Sequence, residues 1–162
     1  MELQQEIYQL AAELGAILSD KEIWITTAES CTGGGISYAL TDTPGSSRYI
    51  DRCFVTYSNQ AKQDLLAVST ETLNQYGAVS EQTVLEMAAG AVKAAKADVA
   101  ISVSGVAGPG GGSPEKPVGT VWFAIHFQGQ THSFHRVFRG ERGEVRAQAI
   151  VFSLKKAVEL IK

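Results

Sequence analysis

The sequence is poor in the residues that build disulfides and metal sites. It has two cysteines, Cys31 and Cys53, and three histidines in 162 residues. Their spacing matches no common metal-binding pattern, and so few cysteines in a chain of this length fit a reduced protein. We therefore expect a cytoplasmic protein that uses no metal and no other cofactor.

The sequence also lacks an excess of positive charge and a long hydrophobic run. Its formal net charge is −3, which argues against a surface for nucleic acid. Its apolar runs are too short to span a bilayer, and its first residues have the pattern of an amphipathic helix rather than a signal peptide. We expect neither a nucleic-acid partner nor a membrane partner.

What the sequence does contain is an alternation of helical and strand patterns. Apolar spacing and turn residues predict helices over 3–19, 32–40, 60–66, 71–76, 81–96 and 141–161. Strands are predicted over 23–27, 49–57, 99–105, 120–127 and 130–138. This order indicates an α/β layered fold with a mixed sheet and no linker between domains.

A glycine-rich segment, TTAESCTGGG, covers residues 26–35 between a predicted strand and a predicted helix. It has neither the lysine of a P-loop nor the spacing of a dinucleotide-binding fingerprint. Ser30 or Thr32 would cap the helix in one interpretation. In the other, Ser30 is a nucleophile, and the amides of Cys31 to Gly34 stabilise an oxyanion. The segment alone does not decide between the two.

A serine nucleophile needs a base, and the histidines cluster in or beside the predicted C-terminal hairpin without a triad pattern. Lys62, in TYSNQAK, is the other candidate, because burial lowers the pKa of a lysine and leaves a neutral amine. Tyr57 would then relay or orient the proton. An exposed lysine is the more common alternative, and Cys31, a rival nucleophile, is more often a buried inert thiol.

Two arginines in RGERGEVRAQA, Arg142 and Arg146, lie four residues apart and share a face near the start of a predicted helix. Guanidinium groups at a helix N-terminus bind phosphate well, but pairing with Glu141 or Glu144 on the surface is an equal alternative. The Gly/Pro-rich loop 105–119 offers further backbone donors, and its length is typical of a functional loop.

Five segments together resemble the C-terminal domain of the competence/damage-inducible protein CinA. They are TTAESCTGG, FVTYSNQAK, GAVSEQTVLEMA, ISVSGVAGPGGGSPEKPVGTVWFA and FRGERGEVRAQA, in the family's order and spacing over nearly the whole chain. The resemblance implies one such domain over residues 1–162, a three-layer α/β/α sandwich with a mixed β-sheet. It also implies the stand-alone form of the family, a nicotinamide-nucleotide amidase that converts nicotinamide mononucleotide to nicotinate mononucleotide and ammonia.

The same resemblance implies roles for individual residues. Ser30 is the nucleophile, Lys62 the base, and Tyr57 assists proton transfer. The oxyanion and substrate-binding set consists of Cys31, Thr32, Gly33, Gly34, Ser102, Ser104, Gly105, Arg142 and Arg146. Of the two arginines, Arg146 is the favoured phosphate contact.

Three other functions remain open from the sequence. The chain is a non-catalytic nucleotide-binding module in the first, and an amidase for another substrate in the second. A partner-mediated role in DNA uptake or damage response is the third. The expected ligand is a small nucleotide, and the resemblance implies a homodimer.

Overall fold

A mixed sheet forms the centre of the computed structural model, which describes residues 2–162. Its strands are β1 (Ile25–Glu29), β2 (Phe54–Val55), β3 (Val99–Gly105), β4 (Thr120–Phe127) and β5 (Gln130–Val137). The α-helices are α1 (Leu3–Lys21), α2 (Gly35–Thr41), α3 (Asn59–Leu66), α4 (Thr70–Tyr76), α5 (Glu81–Ala95) and α6 (Arg142–Ile161). A short 3₁₀ turn, Ser46–Arg48, follows α2.

The strand order is β2-β1-β3-β4-β5, and the first three strands are parallel. The last two run antiparallel to their neighbours. Because parallel strands end at the same edge, the residues that follow β1 and β3 meet beside each other. This is the edge at which open α/β sheets bind ligands.

Helices cover both faces of the sheet. Buried side chains of α1, α2 and α6 pack on one face against apolar residues of β1, β3 and β4, such as Ile101 and Phe123. On the other face, α3, α4 and α5 pack against a patch of small side chains that includes Ala28 and Ala124. The expected three-layer α/β/α architecture with a mixed sheet is thus confirmed.

Close packing between α3 and α5 fixes the position of α3. A Cβ on Gly90, in α5, would lie 1.9 Å from the carbonyl oxygen of Leu66, the last residue of α3. Only a glycine permits this approach. The contact matters because α3 carries Lys62.

Several predicted boundaries are wrong near the first two strands. The strand predicted over 49–57 is regular only at β2, with one further bridge between Ile25 and Ile50. The strand predicted over 23–27 lies at 25–29 instead, because chain pairing with β3 continues to Glu29. The helix predicted from Thr32 begins at Gly35, since Gly33 and Gly34 have φ of +59° and +96°, outside the helical region.

The C-terminal hairpin agrees with its prediction. Gln128 and Gly129 connect β4 to β5, and both have positive φ, as a type I′ turn requires. Within residues 2–162, no helix combines the length and the apolar character that crossing a bilayer requires.

Candidate active site

Ser30 directly follows β1 and is held at the carboxyl edge of the sheet. Its backbone N–H donates to the carbonyl of Val103 in β3 over 3.0 Å. Its side chain is nearly buried, and its Oγ lies 3.1 Å from the Nζ of Lys62. The structure therefore brings the predicted nucleophile and the predicted base into direct contact.

Lys62 is buried in α3, with 1% of its surface exposed. Its Nζ also donates to the backbone carbonyls of Thr56, at 3.0 Å, and Tyr57, at 3.1 Å. No carboxylate of residues 2–162 forms a salt bridge with it. Burial lowers the pKa of Lys62 from 10.5 to about 8. The exposed lysine that the sequence left as the common alternative is therefore wrong.

Tyr57 contributes to this pair through its backbone rather than through its ring. Its carbonyl accepts from Lys62, and Ser30 Oγ lies 3.4 Å from the same oxygen. The residue is 62% exposed, and its hydroxyl accepts a hydrogen bond of 3.2 Å from the guanidinium of Arg142. The structure does not place the Tyr57 hydroxyl on the Ser30–Lys62 pair.

The turn after Ser30 has backbone N–H groups of two kinds. Those of Gly33 and Gly35 donate to the carbonyls of Ser30 and Thr32, at 3.1 and 3.0 Å. Those of Cys31, Thr32 and Gly34 donate to no other residue of the described chain. Of these three residues only Cys31 lines the cavity beside Ser30, so its amide is the one placed to bind an anion there. The Cys31 thiol is buried, which raises its pKa to about 12 and keeps it neutral.

Capping of α2 involves neither Ser30 nor Thr32, contrary to the alternative that the sequence left open. The N-cap residue is Gly34, which makes no side-chain hydrogen bond. The Glu29 carboxylate instead accepts the backbone N–H groups of Ile36 and Ser37, at 2.8 and 2.9 Å.

A cavity of about 300 Å³ opens beside Ser30 and Lys62. Among the predicted residues, Ser30, Cys31, Tyr57, Lys62, Ser104, Gly105 and Arg142 line it. The loop after β3 forms much of the remaining wall, with residues such as Ala107 and Gly108. The two strand ends and α3 therefore enclose a space in which a small molecule would reach the Ser30 hydroxyl.

Ser102 lies outside this cavity, which corrects its predicted place in the pocket. It is fully buried, and its Oγ donates to the carbonyl of Val84 in α5 over 2.7 Å. Ser102 and Ser104 face the same side of β3, but only Ser104 is near enough to the strand end to reach the cavity.

The two arginines do different things. Arg142 lines the cavity and donates to the carbonyl of Gly108 at 2.7 Å and to the Tyr57 hydroxyl. Arg146 donates to the carbonyls of Cys31 and Thr32, at 3.0 and 3.4 Å, and does not line the cavity. Thr32, Gly33 and Gly34 do not line the cavity either.

Sequence reasoning missed two features of the site. One is the pair of backbone carbonyls around Lys62, which no residue type can signal. The other is the Glu29 side chain, which is fully buried next to Ser30. An acidic residue just after a predicted strand and directly before a candidate nucleophile was the one signal available.

The site stands in a chain with clear relatives. The model of the CinA C-terminal domain matches residues 7–161. A protein of Enterobacter agglomerans named nicotinamide-nucleotide amidohydrolase PncC is 57% identical in an alignment of 161 residues that covers 98% of each chain. The protein of the same name from Escherichia coli K12 is 52% identical over 93% of this chain and 92% of its own.

Solved structures agree with these relatives. The competence/damage inducible protein CihA of Agrobacterium tumefaciens superposes with a TM-score of 0.94 at 44% identity, covering 97% of this chain and 96% of its own. A CinA superfamily protein of Klebsiella pneumoniae gives a TM-score of 0.92 at 40% identity, covering 96% and 97%.

Proposed function

The chain belongs to the CinA C-terminal domain family, and from this premise we propose that it is a nicotinamide-nucleotide amidohydrolase. It hydrolyses the carboxamide of nicotinamide mononucleotide to the carboxylate and ammonia. The observation that carries the proposal is the contact of 3.1 Å between Ser30 Oγ and the buried amine of Lys62.

The surroundings of Lys62 suit it to act as a base. When the amine is neutral, two N–H groups remain, and the carbonyls of Thr56 and Tyr57 can only accept them. The lone pair then faces Ser30 Oγ. With a pKa of about 8, a useful fraction of Lys62 is neutral near physiological pH.

The reaction proceeds through an acyl-enzyme. Ser30 Oγ attacks the carboxamide carbon while Lys62 takes the hydroxyl proton. Cys31 is the residue with a free amide that lines the cavity, and its backbone N–H binds the oxyanion that forms. Lys62 returns its proton to the leaving ammonia, and a water molecule then hydrolyses the ester.

We assign the phosphate contact to Arg142 rather than to Arg146. Arg142 faces the cavity, and its present partners are a neutral carbonyl and a phenol, which a phosphate dianion would replace with stronger charge-assisted hydrogen bonds. Arg146 is already engaged with the carbonyls of the turn. Binding the distant phosphate would orient the carboxamide toward Ser30.

The test is ammonia release from nicotinamide mononucleotide by the native chain and by Ser30→Ala and Lys62→Ala. Release by the native chain that both substitutions abolish is the expected result. Absence of release from the native chain would refute the substrate. Release that persists in Ser30→Ala would refute the nucleophile.

A further inference from the structure

The Glu29 side chain is a buried carboxylate without a cationic partner. It is fully buried at the end of β1, directly before Ser30. No lysine, arginine or histidine of residues 2–162 forms a salt bridge with it. Burying a carboxylate without a cation costs free energy, so the hydrogen bonds that the carboxylate accepts must offset that cost.

Four donors satisfy the carboxylate. Oε1 accepts from the hydroxyl of Thr32 at 2.7 Å and the N–H of Ile36 at 2.8 Å. Oε2 accepts from the N–H of Ser37 at 2.9 Å and the hydroxyl of Thr27 at 3.1 Å. Two bonds go to the first turn of α2, where the helix dipole favours a negative charge. Both oxygens are thus fully used.

These bonds connect the turn on both sides of the glycines. Thr32 belongs to the segment that follows Ser30, whereas Ile36 and Ser37 lie beyond Gly33 and Gly34. The backbone carbonyl of Glu29 also accepts the N–H of Thr56 over 2.9 Å. The carbonyls of Thr56 and Tyr57 in turn accept from Lys62 Nζ. Glu29 therefore forms hydrogen bonds both with the turn that carries Ser30 and with the segment whose carbonyls accept from Lys62.

Helix capping alone is a poor explanation of this arrangement. The helices α3, α4 and α5 are each capped by a serine at the N-cap position, namely Ser58, Ser69 and Ser80. At α2 the cap comes from Glu29, on the far side of the turn, while the N-cap residue Gly34 contributes no side chain. The carboxylate thereby connects the two ends of the turn that follows Ser30.

We propose that Glu29 is a positioning residue, which holds the Ser30 hydroxyl and the backbone N–H of Cys31 in the geometry that acyl transfer requires. The proposal rests on the function proposed above. Glu29 touches neither the substrate nor the reacting atoms, and it acts through Thr32 and the start of α2.

The informative substitution is Glu29→Gln, which keeps the shape but puts an NH₂ group where one oxygen accepts. If that group faces the Ser37 N–H, two donors oppose each other. We expect kcat for ammonia release from nicotinamide mononucleotide to fall about 100-fold, as a displacement near 1 Å produces. KM is expected to stay within about twofold, because substrate contacts are retained.

A second readout does not depend on the substrate. A fluorophosphonate probe reacts with an activated serine: Oγ forms a bond to phosphorus, fluoride leaves, and Lys62 takes the proton. Labelling of Ser30 is expected to slow in Glu29→Gln as kcat does. If the native chain is labelled but releases no ammonia, the proposed substrate fails, and the labelling rates of the two chains still test Glu29.

The matched control is Ser69→Ala, which removes the N-cap of α4, a helix of seven residues like α2. It is expected to lower the unfolding midpoint and to leave kcat unchanged. Glu29→Gln with native kcat and native labelling, and only a lowered midpoint, would overturn the proposal. If Glu29→Gln does not fold, Thr32→Val and Thr32→Ser replace it. Valine, without the hydroxyl, should be several-fold slower than serine, and equal rates would overturn the proposal.

Discussion

Two glycine-rich segments border the cavity, and they are built in opposite ways. The turn 30–35 follows β1, and the loop 106–119 follows the neighbouring parallel strand β3. The turn is fixed by Glu29, Arg146 and a backbone bond to Val103. Residues 107–112 of the loop make a single hydrogen bond within the described chain, from Arg142 to Gly108.

The difference matches the task of each segment in the proposed reaction. The turn carries the reacting hydroxyl, whose position must be kept to fractions of an ångström. The loop covers the space that the substrate enters, and its two side-chain anchors, Arg142 and Lys116, both reach neutral carbonyls. Of the two, Arg142 lines the cavity and can exchange its carbonyl partner for a phosphate. In the proposed reaction the turn therefore carries the reacting group and the loop side binds the substrate.

The largest expected effect is on the rigid side, at Lys62. Lys62→Met removes the base and keeps most of the length of the side chain, so kcat should fall by about 10²–10⁴-fold. At pH 7 the variant no longer buries an amine but leaves the buried Thr56 carbonyl without a donor, so its free energy of unfolding is expected to stay within about 1–3 kcal/mol of native. Ammonia release and urea unfolding measure the two. A kcat within threefold of native would exclude Lys62 as the base.

The next effect is the pH dependence of the native chain. Below the Lys62 pKa of about 8, protonation removes the base, so kcat/KM should rise about tenfold per pH unit from 6.5 and level off above 8. A profile that is flat between pH 6.5 and 8 would contradict the lysine mechanism.

The free energy of unfolding should also depend on pH through Lys62, and it should increase as the pH rises. Between pH 8 and 10.5 the unfolded chain keeps the Lys62 proton and the folded chain does not, so the free energy of unfolding rises with pH. The full difference is roughly 3 kcal/mol and is lost as the pH falls to 8. Lys62→Met should lack this rise, which makes it the control.

On the loop side, Arg142→Lys tests the phosphate contact. Hydrogen bonds to charged groups are worth about 1.5–3 kcal/mol, so KM for nicotinamide mononucleotide should increase about 10- to 100-fold while kcat changes less. Arg139→Lys is the control, since the Arg139 side chain forms no hydrogen bond in the described chain. A larger rise in KM for Arg146→Lys than for Arg142→Lys would reverse the assignment.

A pair of glycine substitutions compares the stability of the two segments directly. Gly34→Ala forces a residue with a Cβ to adopt φ of +96°, 3.3 Å from Val55, and should lower the free energy of unfolding by about 1–3 kcal/mol. Gly110→Ala meets nothing within 4 Å and should change it by less than about 0.5 kcal/mol. Equal losses in urea unfolding would show that the two segments are equally constrained.

The smallest expected effect is at Lys116, whose Nζ donates to the carbonyl of Tyr76 over 2.7 Å and attaches the loop to α4. This partly exposed bond is worth about 0.5–1.5 kcal/mol, so Lys116→Met should raise KM a few-fold and leave kcat unchanged. Lys116→Arg keeps a donor and should behave like the native chain. A fall in kcat would show that the loop also positions the reacting atoms.

Local patterns in the sequence determined much of the architecture. The apolar spacing of α1, α5 and α6 and the uninterrupted apolar run of β3 predict those elements. In a regular element, residues at a fixed spacing lie on the same side and meet the same surroundings, so their apolar character repeats with the period of the element. The Gln128-Gly129 pair between two strand patterns likewise predicts the hairpin turn, and in the structure both residues adopt positive φ. The irregular segment 49–57 resisted prediction, because its alternating side chains resemble a strand and few of its backbone groups pair.

Only the tertiary structure decided which groups of the site contact one another. Whether Lys62 is buried depends on α5 packing against α3 and on carbonyls that arrive from Thr56 and Tyr57. Which arginine faces the cavity depends on where α6 begins, because Arg142 then reaches the loop at Gly108 and Arg146 reaches the turn at Cys31. The sequence by itself determined which groups are present and roughly where each element runs. Their pKa values and partners depend on which groups lie close in space, whether near in the chain, as Tyr57 is to Lys62, or far from it, as Ser30 is, because desolvation and hydrogen bonding depend on proximity.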